Sequence, residues 1–153
     1  MPVPVPLRLY GQRSEKPALE WAWVEAQLES AGTYWVVPRS EGHPHPRPVW
    51  GVWLDERLYL SIGTPVTLTA LAADPMVTVH LESGTQVVIM EGWAREPVRS
   101  GKPVTVYNQK YDWDYDAEKW GPLQCFEPAT VLAWRAAGWA GRESFQETGC
   151  WHF

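Results

Sequence analysis

Apolar and polar positions alternate most cleanly at MVTVHLE (76–82), where Val77, Val79 and Leu81 fall on one face of an extended chain. Runs rich in β-branched and aromatic residues mark further strands at TYWVVPRS (33–40), 46–54, 57–62 and QVVIMEGWARE (86–96). Two last strands are expected at about 123–127 and 129–135. Short turn sequences separate neighbours: Glu41-Gly42, Asp55-Glu56 and Ser83-Gly84-Thr85.

The helical period is rarer. Pro17 suits the first turn of a helix in which Leu19 and Trp23 share one stripe and Trp21, Val24 and Leu28 share its neighbour. Glu20, Glu25, Gln27 and Glu29 face water there, and Gly32 marks the end. Thr64 caps and Pro65 opens a second helix, which Asp74-Pro75 stops. A third is expected over 102–112, with Val104, Tyr107 and Tyr111 on one side. Strands joined by tight turns pair antiparallel, and closure removes exposed edges. The expected class is therefore mainly β with peripheral helices, an antiparallel barrel. Pro2, Pro4 and Pro6 make residues 1–16 an irregular arm ahead of a single domain over 17–153.

Composition narrows the function. A chain of 153 residues suits one domain with a core of useful size. A net charge of -5 argues against a nucleic-acid backbone binder. No apolar run approaches roughly 18 residues, so no membrane span is expected. The N-terminus lacks a charged region followed by an apolar one, which reads as a mature, cytoplasmic chain. Cys125 and Cys150 have neither metal nor redox spacing and read as buried thiols. Eleven tryptophans are the unusual feature, because indoles favour cores, interfaces and pockets for flat ligands.

Several chemistries fall away. His43 and His45 have no third metal ligand nearby, and the surrounding prolines fit an exposed lead-in. DWDYD (112–116) resembles the start of a calcium loop, but Ala117 and Leu123 stand where Gly and Glu are required. A solvated acidic loop over 112–118 is the better reading. No nucleophile elbow, Walker loop or dinucleotide fingerprint is present. A flat-ligand site remains. Arg47 leads into PVWGVW, where Gly51 marks either close approach or a packing need. Ser61 ends the next strand, and Gly63, Thr64 and Pro65 open a helix whose amides face an anion. Trp50 and Trp53 are an odd number of residues apart, so at most one of them faces a ligand.

In that order, PHPRPVWGVWLDERLYLS, ALAADPMVTVHLESG and VVIMEGWA resemble the pyridoxamine 5′-phosphate oxidase-like family of FMN-binding split-barrel proteins, which includes flavin and deazaflavin oxidoreductases. FEPATVLAWR and the terminal Trp151-His152-Phe153 extend the likeness over nearly the whole chain. The resemblance implies a six-stranded antiparallel split β-barrel of Greek-key type. It implies a homodimer with FMN, or a deazaflavin, in a cleft between subunits, and a small-molecule substrate. On that pattern Arg47 lies near the FMN phosphate, and Pro48, Val49 and Trp50 line the ring. Ser61, Ile62, Gly63, Thr64 and Thr67 meet the ribityl-phosphate, and Trp134 and Trp151 approach as late aromatics. The resemblance assigns no catalytic residue.

One departure stands out. Many members carry Ser-Arg-Lys before the helix, where this chain has a stretch one residue shorter with Pro65, Val66 and Thr67. Charge-assisted hydrogen bonds are roughly twice as strong as neutral ones, so losing two cations weakens FMN by a few kcal/mol. Three readings stay open: a flavin-dependent oxidoreductase, a non-catalytic flavin or flat-ligand binder, and a cofactor-free dimer with a degenerate cleft.

Overall fold

The computed structural model describes residues 1–9, 11–13, 16–138 and 147–153. Six antiparallel strands close a barrel: β4 (Tyr34–Pro38), β5 (Arg47–Leu54), β6 (Arg57–Ser61), β7 (Met76–His80), β8 (Gln86–Val98) and β9 (Leu123–Arg135). Their order around the barrel is β9-β6-β5-β4-β7-β8, and β8 pairs back onto β9. Alternation explains the inside. Val77 and Val79 from β7, Val36 from β4, and Leu58 and Leu60 from β6 are buried in one core with Phe126 and Val131.

The β5–β6 hairpin turns on Asp55 and Glu56, both left-handed at φ 51° and 59°. That is the mirror-image turn favoured by the twist of paired strands, made here without glycine. The region expected as two final strands is a single strand, β9. Its partner changes instead. Leu58–Leu60 of β6 pair with Phe126–Gln124, and β10 (Glu147–His152) takes the same edge from Thr130 to Arg135. A register shift absorbs Pro128, since Glu91 faces Thr130 while Gly92 faces Pro128. Gly92 is required there, because a Cβ would meet the Glu127 carbonyl oxygen at 2.1 Å.

Residues 1–16, expected as an irregular arm, contribute β1 (Val3–Val5), which pairs with β10, and the short pair β2 (Arg8–Leu9) and β3 (Gln12–Arg13). Pro4 faces Trp151 but cannot donate. The ladder is therefore held by the pairs on either side, Val3–His152 and Val5–Cys150. Pro4 turns a donor-free edge outward, so regular-looking β1 is an edge strand of the kind that tolerates proline.

Among the described residues four helices decorate the barrel: α1 (Trp21–Ser30), α2 (Pro65–Ala73), α3 (Lys102–Tyr111) and α4 (Ala117–Trp120). α1 begins four residues later than Pro17 suggests, because the preceding backbone is captured by β10. Thr148 N–H donates to the Pro17 carbonyl at 3.0 Å, and Leu19 N–H donates to the Thr148 carbonyl at 3.0 Å. The helix stops at Ala31 in an extended conformation rather than at a left-handed Gly32. Val24 and Leu28 are its buried residues, on the expected stripe. Thr64 does stand at the N-cap of α2, but its side chain makes no capping bond. α3 ends as Asp112 turns left-handed, and Asp116 caps α4 by accepting from the Glu118 and Lys119 amides. The acidic stretch is thus partly a helix cap rather than simply a solvated loop. Both cysteines are free and buried. Among the described residues no helix is long and apolar enough to cross a membrane. Residues 139–146 lie outside the described residues, and the closing stretch after them forms β10 rather than an irregular tail.

Candidate functional site

One cleft of about 420 Å³ gathers residues from four parts of the chain. Pro48, Val49 and Trp50 of β5 form its floor, and Ser61 lies opposite Trp50 in the hairpin register. Gly63 and Thr64 bring in the entry to α2. Tyr107 of α3, with Trp113, Tyr115 and Trp120, supplies an aromatic wall. The alternation of β5 sets which indole is available. Trp50 is 44% exposed and faces the cleft, whereas Trp53 is 7% exposed and packs in the core.

The aromatic wall is held by ring contacts. Trp50 stacks on Tyr111, and Trp113 meets Trp50 edge-on at 6.3 Å. Trp120 packs against both Trp113 and Tyr115. Tyr107 lies under this layer, where burial raises its phenol above the ordinary range while a hydrogen bond with Ser61 opposes the shift. The cleft therefore offers flat apolar faces with hydroxyl groups from Ser61, Thr64 and Tyr107, a lining of the usual ligand-pocket kind. The Tyr115 hydroxyl donates instead to the Gly121 carbonyl at 2.8 Å.

Beneath Tyr111 lies a second cluster. Lys110 donates to the Tyr34 hydroxyl and to the Gly51 carbonyl, each at 2.9 Å. Its ammonium also lies over the Tyr34 and Tyr111 rings, at 4.9 and 5.4 Å. Burial pushes Lys110 down to about 8. Tyr34 donates to the Leu28 carbonyl at 2.6 Å, and burial raises its phenol strongly. The Gly51 amide donates to the Tyr111 hydroxyl at 2.9 Å. Gly51 thus serves packing rather than a ligand, since a Cβ would also meet Leu60 at 2.6 Å and the Tyr59 carbonyl at 2.8 Å.

The residues expected at the site divide clearly. Pro48, Val49, Trp50, Ser61, Gly63 and Thr64 meet in the cleft. Arg47 begins β5 but directs its guanidinium to the carbonyl of Pro46, at 2.9 Å. Ile62 is buried in the core. Thr67 lies on the barrel-facing side of α2 with Leu71, fully buried, and its hydroxyl has no hydrogen-bond partner. Trp134 sits in β9 opposite Val87 and Thr148. Trp151 belongs to the core, edge-on to Trp21 at 5.3 Å. His43 and His45 precede β5 in the loop, and no group of three metal-binding side chains occurs among the described residues. The wall from α3 and α4 was not foreseen. Its signal was the recurrence of aromatics at 107, 111, 113, 115 and 120.

The residues fit one half of an FMN-like cofactor. Half-exposed indoles and a strand floor suit a planar ring. The phosphate half finds hydroxyls and backbone amides, but none of the described lining residues is a cation.

Sequence comparison finds no matching family model and no matching curated protein. Solved structures do match. An F420 reductase aligns at TM-score 0.57 and 19% identity, covering 70% of this chain and 94% of its own. An FAD-binding protein from Mesorhizobium loti aligns at TM-score 0.59 and 15% identity, covering 88% and 96%. A candidate pyridoxamine 5′-phosphate oxidase from Listeria innocua aligns at TM-score 0.59 and 20% identity, covering 72% and 94%. At these identities the likeness establishes the fold.

Proposed function

We propose, for a chain whose fold is the split barrel of pyridoxamine 5′-phosphate oxidase-like proteins, that the cleft binds the ring of a flavin-type cofactor, flavin or deazaflavin. The protein is then a redox protein acting on a small-molecule substrate. The observation that carries this is the convergence of Pro48–Trp50, Ser61 and Gly63-Thr64 with the α3–α4 aromatic wall in one cleft. The names of two fold neighbours, an F420 reductase and an FAD-binding protein, support the cofactor class.

When bound, such a ring supplies the hydride or electron transfer. This chain's residues bind and orient it. Trp50 offers an indole held flat by Tyr111, Ser61 and Tyr107 place hydroxyls at the floor, and Trp113 and Trp120 keep water from one side. The functional unit we propose is a homodimer whose second copy completes the cleft. The exposed face of α2 supports this: Pro65, Val66 and Thr69 lie on it, in the helix that follows Thr64 of the cleft, and the helix itself carries no charge.

Binding without turnover is favoured by one observation. The described lining residues include no carboxylate, imidazole or amine, and burial raises the Tyr107 phenol above its ordinary range. One experiment separates the readings. Tryptophan fluorescence is followed as lumiflavin, the bare ring, is added to wild type and to Gly63→Phe. Gly63 lines the cleft and a Cβ there meets nothing within 4 Å, so the variant is expected to fold as wild type does and to narrow the cleft. Quenching in wild type and its loss in the variant supports the site; equal quenching in both removes it. Reoxidation of the bound, reduced ring by an added acceptor faster than the free ring then marks an enzyme, and slower reoxidation a carrier.

A further inference from the structure

We infer that the cleft recognises an uncharged tricyclic ring and does not read a terminal phosphate, so that riboflavin binds at least as well as FMN. This rests on the cleft being the ring site proposed above.

A phosphate monoester carries about one and a half to two negative charges at neutral pH and needs donors to match. The described lining of the cleft supplies only neutral groups: proline, valine, glycine, hydroxyl and aromatic side chains. The cations near it are engaged by the protein itself. Arg47 is turned to the Pro46 carbonyl at 2.9 Å. Lys110 is tied to Tyr34 and Gly51 behind the Tyr111 ring. Arg99 pairs with Glu118 at 3.3 Å, and Lys119 lies over the Trp120 ring at 4.9 Å. Thr67 is fully buried on the barrel side of its helix and cannot serve a ligand at the mouth.

Over 110–120 the acidic residues outnumber the basic ones, four against Lys110 and Lys119. Asp112, Asp114 and Asp116 alternate with Trp113 and Tyr115 along the chain, and Glu118 precedes Trp120 by two residues. Asp112 and Asp114 are exposed. The net negative charge of this stretch repels an approaching dianion and leaves a neutral ring unaffected. Flat apolar faces and a neutral lining select a planar ligand without negative charge.

The test is a pair of fluorescence titrations of the full-length protein, with riboflavin and with FMN, at low and high salt. The expected result is a riboflavin Kd equal to that of FMN within about threefold, or tighter, with FMN binding no weaker at high salt. FMN tighter than riboflavin by more than about threefold overturns the inference, because a cation then reads the phosphate. If Lys119→Met erases that difference, the cation is Lys119; if not, it comes from elsewhere, the second copy included. A failure of both ligands to bind overturns the inference together with the ring site, whereas unequal binding overturns the inference alone.

Discussion

Trp50 and Tyr111 lie face to face, with ring centroids 4.6 Å apart and planes 3° from parallel. One residue comes from the barrel and the other from the last turn of α3. Their stack joins the floor of the cleft to its wall. Such pairs contribute about 0.5–1.5 kcal/mol beyond area burial. Replacing Tyr111 by Leu is expected to weaken ring binding about tenfold, because Trp50 is no longer held flat. Equilibrium titration with lumiflavin checks this. Unchanged affinity would show that Trp50 needs no support.

Lys110 gives a pH prediction. Its pKa falls from 10.5 to about 8 in the fold because burial penalises the ammonium. Between those values the unfolded chain binds more protons than the native one, so stability rises with pH across that window. Two tyrosine faces offset part of the cost below it. Lys110→Met leaves Tyr34 donating to Leu28 and Gly51 accepting from Tyr111. The variant is expected to match or exceed wild type near pH 7 and to lose the rise above about pH 8. Urea midpoints across pH check this, and a variant less stable throughout, with the same slope, contradicts it.

Thr67 carries a buried hydroxyl without a partner. Leaving a polar group unsatisfied costs about 1–3 kcal/mol. Thr67→Val keeps the shape and removes the hydroxyl, so a stability gain of about 1 kcal/mol is expected from denaturant unfolding. A loss would mean that the hydroxyl is bonded in solution.

The N-terminal prolines make an assembly prediction. Pro4 denies the outer edge of β1 a donor, and Pro2 and Pro6 share its spacing. Restoring N–H groups with Pro2→Thr, Pro4→Thr and Pro6→Thr together is expected to produce species larger than wild type as concentration rises. Sedimentation velocity reads this directly; identical profiles would show that the edge needs no proline.

Much of the barrel was legible in the sequence because its strands alternate and their turns are short. β7 and the β5–β6 hairpin are set by local chemistry alone, and Pro65 and Asp74-Pro75 bound α2 as expected. What failed was set by distant partners. Pro17 and Leu19 look helical, but β10 holds their backbone. The break expected near Pro128 disappears into a register shift that Gly92 makes room for. At the site, the β5 and α2-entry residues converge as their order implies. The wall did not show itself, since Trp113 and Tyr115 are interleaved with aspartates that read as solvated. The family resemblance implies Trp151 as a late aromatic near the cofactor, yet its indole fills space that Gly149 leaves open, against Trp21 in the core.

The most direct test of the central claim is a crystal structure of the protein grown with excess riboflavin. The predicted result is the ring bounded by Trp50, Ser61, Gly63 and Trp113, in the cleft beside the entry to α2. A cleft that stays free of the ring, with Trp113 and Trp120 folded onto Trp50, would contradict the account.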